Sequence, residues 1–208
     1  VCHWTSSCSS SITIRATEAS GASAVYVKRA ATDSRSRAID YIDLIAVDFD
    51  RVAEGARLQL RAPNPALWSG AESGSVTLEI RVPPDVAVDI EATYFDLIAE
   101  GPFGGVAAPS SLGRLEVADV NGPVNLMTAN RQIVLRKIIG EVSAQTSNST
   151  LTAADIRTPL GQSQFRNDGG EIRIDGFSGE ISVRNDFGRI EITDFLPTGR
   201  RNVIRCQS

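Results

Sequence analysis

Residues 163–198 read SQFRNDGGEIRIDGFSGE and then ISVRNDFGRIEITDFLPT, two 18-residue segments that align position for position. Their apolar residues fall in step: Phe165 with Val183, Ile172 with Ile190, Ile174 with Ile192, Phe177 with Phe195. Between them the polar residues alternate with period two, the spacing of a strand with one buried face.

The same frame extends backwards through VSAQTSNSTLTAADIRTPLGQ from Val142, VNLMTANRQIVLRKIIGE from Val124, VAAPSSLGRLEVADVNGP from Val106 and VDIEATYFDLIAEGPFGG from Val88. Only the Val142 segment departs from 18 residues; its extra three fit as a loop at Thr158–Gly161. Five apolar columns emerge, starting at Val88, Ile90, Leu97, Ala99 and Pro102. One such repeat cannot enclose a core, but stacked coils bury a continuous apolar column. Six coils at roughly 4.8 Å give a rod on the order of 29 Å long. The expected fold is all-β: a right-handed parallel β-solenoid with coils of 18 residues, the hand taken from the general preference of parallel crossovers.

Corners are marked by residues that tolerate positive φ: Gly113, Asn130, Asn148, Gly169, Gly170 and Gly188 at one, and Gly122, Gly140 and Gly179 at another. Asp119, Asp155 and Asp194, each just before the last anchor of its coil, read as turn residues. The outward columns set Glu171 over Arg189 and Arg173 over Glu191, and this alternation of sign opposes a slip by one coil.

Four segments follow from this frame. Residues 1–11 read as a flexible Ser-rich arm, and 85–198 as the regular solenoid. Residues 12–84 read as irregular β coils continuing the core, or a small β-sandwich covering one end, with strands at Ile12–Ile14, Val25–Val27, Ile39–Phe49, Leu58–Leu60 and Val76–Val82. Residues 199–208 form a tail or cap able to lay a last strand over the final coil.

VTLEIRVPPDVAVDIEATYFDLIAEG, followed by repeats such as GEISVRNDFGRIEITDF, resembles the bacterial adhesin family of unknown function. The resemblance covers about residues 76–195 and, more weakly, 12–62. It implies a β-solenoid at the cell envelope or outside the cell, with no catalytic residues to carry over. Tyr94–Asp96 and Asn130–Gln132 lack the usual corner glycine, and the cysteine-bearing termini fall outside the pattern. Bactofilins, which stack β-helical coils end to end, are a more distant similarity.

The net charge of -4 gives no basic face for nucleic acid. No run of 18 apolar residues exists, so no segment reads as a membrane-spanning helix. Of Cys2, Cys8 and Cys206, at most one intrachain pair can form. One reading is a bridge from the tail of one subunit to the head of the next; the other is a Cys2–Cys8 loop or free thiols. His3, the single histidine, lies in the arm, so no Ser-His-Asp or Cys-His constellation is assigned. Cys2, His3 and Cys8 lack metal-site spacing. No catalytic residue, cofactor or metal is expected.

The doubled Arg166-Asn167-Asp168 and Arg184-Asn185-Asp186 sit one coil apart. Their charged members, Arg166, Asp168, Arg184 and Asp186, form a candidate surface binding face, while the Asn and Asp types also suit a plain corner. Asn148-Ser149-Thr150 has the form of a glycosylation sequon, or is a polar turn.

The functional expectation is a non-enzymatic, adhesin-like surface protein, binding a glycan or a protein or serving as structure. A head-to-tail filament subunit that self-associates through its solenoid ends and N-terminal arm is the alternative. A glycan-acting β-helix enzyme using Asp168 and Asp186 ranks third.

Overall fold

The computed structural model describes residues 9–18, 20–52, 55–61, 73–90 and 95–207. Its elements run β1 (Ser9–Ala16), β2 (Ser23–Ala31), α1 (Arg35–Leu44), β3 (Ala46–Val52), β4 (Gly55–Arg61), β5 (Ser73–Val82), β6 (Ala87–Asp89), β7 (Phe95–Phe103) and β8 (Gly105–Ser111). They continue with β9 (Leu115–Val120), β10 (Val124–Thr128), β11 (Ile133–Ile139), β12 (Val142–Thr146), β13 (Ser149–Asn167), β14 (Gly170–Asn185), β15 (Gly188–Pro197) and β16 (Val203–Cys206).

The chain is a parallel β-solenoid of about 6 turns with coils of about 18 residues. Every strand pairing from β7 onward is parallel, and residues one repeat apart face each other, as Leu97 faces Leu115 and Ile172 faces Ile190. The inward columns fill the tube: Leu97, Leu115, Ile133, Leu151 and Ile172 are all fully buried. At roughly 25 cal/mol per Å² of apolar surface removed from water, this column is the main source of stability. The long Val142 coil loops out where expected, the ladder skipping from Arg157 to Gln162 with Leu160 exposed between them.

The third anchor of the first coil is Phe103, not Pro102: the ladder slips between Glu100 and Phe103, and Phe103 faces Val120 with none of its surface exposed. An aromatic ring fills that layer where proline would leave a void.

Asp119, Lys137, Asp155, Gly176 and Asp194 all have φ between 48° and 69°, one left-handed kink per coil just before the third anchor. Corner glycines at Gly122 and Gly140 have another cause. A Cβ at either would lie 1.9 or 2.1 Å from the carbonyl oxygen of the glycine one coil earlier, so the requirement there is close approach of backbones.

The N-terminal residues extend the same core. β1 lies between β5 and β7, parallel to both, so that Ile12 faces Leu78 on one side and Leu97 on the other. Residues 9–11 therefore belong to a strand rather than to a loose arm, and Ser10 is buried. β2 then pairs antiparallel with β5 and ends the sheet. The stretch expected as a strand at Ile39–Phe49 divides into a helix and a strand. Ser34 caps the helix by accepting from the Arg37 amide, and Ala38, Tyr41, Ile42 and Ile45 recur at helical spacing, with Tyr41 and Ile45 buried. β3 and β4 form a separate antiparallel hairpin.

Candidate functional site

The solenoid brings the four charges of the candidate face together. Arg166 lies directly beside Arg184 in the next coil. Arg166 Nε donates to Asp168 Oδ1 at 3.2 Å, and Arg184 Nε donates to Asp186 Oδ1 at 2.6 Å. A diagonal contact of 3.9 Å from Arg166 to Asp186 joins the two coils. The Asp186 hydrogen bond and charge hold Arg184 more firmly protonated than an ordinary arginine. The four side chains form one mixed-charge patch, and β16 places Arg205 next to Arg184 as a third arginine in the column.

The asparagines between those charges have a different task. Asn167 and Asn185 are fully buried. Asn167 Nδ2 donates to the Ser149 carbonyl at 2.7 Å, and Asn185 Nδ2 to the Gly170 carbonyl at 3.0 Å. The same position in other coils holds Ser111, Thr128 and Thr146, which donate to the carbonyls of Phe95, Gly113 and Arg131. Cys206 is the last rung, its Sγ donating to the Gly188 carbonyl at 3.2 Å. Each rung hydrogen-bonds a corner carbonyl of the preceding coil and so ties successive coils together. The sequence signal was a column of small polar residues four or five positions into the repeats from Val106 onward; reading Asn167 and Asn185 only as corner residues missed it.

The four outward charges Glu171, Arg173, Arg189 and Glu191 pair along their strands rather than between coils. Glu171 does lie over Arg189 and Arg173 over Glu191, but Arg173 bonds Glu171 at 2.7 Å and Arg189 bonds Glu191 at 3.3 Å. Residues two apart on a strand share a face, and an arginine spans that gap easily. Val134, in an outward column, is nevertheless buried, flanked in register by Glu116 and Thr152.

Asn148, with φ of 52°, is exposed at its corner and donates from Nδ2 to Asn130 Oδ1 at 3.0 Å. Cys206 is an exposed free thiol, whereas Cys2, His3 and Cys8 lie outside the described residues. Among the described residues no three His, Cys, Asp or Glu side chains converge as a metal site, and no helix is long and apolar enough to cross a membrane. Two surface grooves flank the stack. One, of about 630 Å³, runs past Asp96, Arg114 and Arg131; the other, of about 540 Å³, follows the kink residues Asp119, Lys137, Asp155 and Asp194.

Fold and surface together define a parallel β-solenoid repeat protein. No family model matches the chain, and neither a curated protein nor a solved structure matches it. The adhesin-family resemblance is thus carried by the repeat pattern alone.

Proposed function

We propose that this chain is a non-enzymatic solenoid module that works by presenting its outward columns, in an adhesin-like binding or structural role at the cell surface or envelope. The observation that carries the reading is the mixed-charge patch of Arg166, Asp168, Arg184 and Asp186, held at coil spacing on a rigid stack. Its carboxylates are engaged by guanidinium groups at hydrogen-bond distance, an arrangement suited to recognition of a polar glycan or protein rather than to proton transfer. The cell-surface setting comes from the family resemblance.

Glycan and protein arrays with the full chain test this. The double variant Arg166→Ala, Arg184→Ala is expected to lose at least about tenfold in binding, with unchanged unfolding, since charge-assisted hydrogen bonds contribute about 1.5–3 kcal/mol. Turnover of a bound glycan, or binding untouched by the double variant, would overturn the assignment. The edges of β15 and β16 that pair with no described strand favour a second reading, a structural subunit that self-associates through a coil end.

A further inference from the structure

We propose that a second copy of this chain covers the C-terminal end, the two molecules meeting tail to tail about a two-fold axis through the Cys206–Gly188 corner, with β15 of each antiparallel to β16 of the other. This deepens the structural reading above and replaces its head-to-tail geometry with a closed dimer.

The two ends of the stack differ. At the N-terminal end β2 runs against the direction of the coils, α1 lies beside it, and Lys28 Nζ donates to the Ile42 carbonyl at 3.5 Å. The coil edge running in the common direction at that end is the three-residue β6, paired among the described strands with β8. At the other end β15 and β16 each pair, among the described strands, only with β14. Ile190, Ile192 and Phe195 are only partly buried, although their column neighbours Ile172, Ile174 and Phe177 are at most 1% exposed. Ile204 is 52% exposed. Such an edge, apolar on its inner side and lined with free backbone donors and acceptors, recruits another strand.

The end of a solenoid is a ramp, not a flat disc. β16 continues the coil above β14, so the ramp drops by one strand spacing at the corner where Cys206 approaches Gly188. Two ramps of the same hand fit face to face when one is turned about an axis through that step. The low side of each, β15, then receives the high side of the other, β16, and the inner faces stay inside.

Charge selects the register. Inner residues must meet inner residues, which pairs Ile190 and Ile192 with Ile204 and Cys206 of the second copy. Setting Ile190 opposite Ile204 would place Arg189 opposite Arg205. A shift of two residues sets Ile192 opposite Ile204, Ile190 opposite Cys206, and Glu191 opposite Arg205. Like charges directly opposite are destabilising, so the second register is preferred. It also meets a need visible in the column. Arg166 and Arg184 each have an aspartate two residues on, but Arg205 has Gln207 and no ion pair among the described residues. Glu191 of the second copy supplies the missing carboxylate. Every contact occurs twice, so the assembly closes at two.

Sedimentation of the full chain over a concentration series is expected to show a monomer–dimer equilibrium. Arg205→Glu and Glu191→Arg, both on exposed strands, should each weaken the dimer about a hundredfold, because like charges across an interface cost several kcal/mol. Combining them should restore it. In a Cys2→Ser, Cys8→Ser background, Ile190→Cys should give a reducible dimer through Cys206 of the second copy, whereas Arg189→Cys, which faces outward, should not. Open-ended filaments, a monomer at every soluble concentration, or a dimer indifferent to both charge reversals would overturn the proposal. Array binding retained by a strictly monomeric protein would remove this proposal and leave the surface-binding reading standing.

Discussion

The closed and open ends of the solenoid are made from different materials. Within the stack each coil is finished by its neighbour, and the same 18-residue pattern serves each time. At the N-terminal end the pattern is abandoned: an antiparallel strand and a capped helix occupy the place where a further coil would sit, and Ile45 reaches the core with none of its surface exposed. At the C-terminal end of the described strands the repeat is kept, but the inward Ile190, Ile192 and Phe195 are only partly buried and Ile204 is 52% exposed. Closing a repeat array thus takes residues that break the repeat.

The comparison breaks most visibly through buried charge. Leu78→Asp, near the closed end, and Ile172→Asp, fully buried one layer beneath β15, should each cost several kcal/mol in denaturant unfolding, because an unpaired carboxylate enters a closed core. Ile192→Asp, at the other end, should cost about 1 kcal/mol in the monomer at high dilution, where Ile192 is only partly buried. Equal costs in the monomer would mean that the C-terminal end is closed within a single chain. Truncation gives a finer reading: Ile12→Ala is expected to lose about 3 kcal/mol and Ile204→Ala about 0.5 kcal/mol. Ser34→Ala, which removes the helix cap of the closed end, should cost about 1 kcal/mol in the same assay. Smallest of all, Arg173→Ser should change stability by about 0.5 kcal/mol or less, because its ion pair is exposed. Hydrogen exchange of the monomer at high dilution should rank the ends in the same order, with β15 and β16 amides exchanging before those of β1.

The regular coils were legible because one physical rule recurs six times and the columns check one another. The closed end was less so, for reasons visible in particular residues. The run from Ile39 to Phe49 has enough apolar residues to pass for a strand; Ser34 and the spacing of Ala38, Tyr41, Ile42 and Ile45 were the signals for the helix, but each occurs once. The partners of β1 are 66 and 85 positions away, as Ser9 with Ser75 and Ser10 with Phe95, so no local pattern could assign them. Of the candidate site, the stacking of the charged doublets could be read from the repeat length. The choice of partner for each arginine could not, because it depends on side-chain reach.

One consequence concerns β1. Although it comes early in the chain, it is a middle plank of the sheet, held on both sides. Losing Ser9–Ala16 would not shorten the rod; it would leave a slot one strand wide between β5 and β7. A synthetic peptide SSSITIRA should then fit that slot in parallel register and rescue the truncated protein in trans, which would make the molecule a natural candidate for a split reporter.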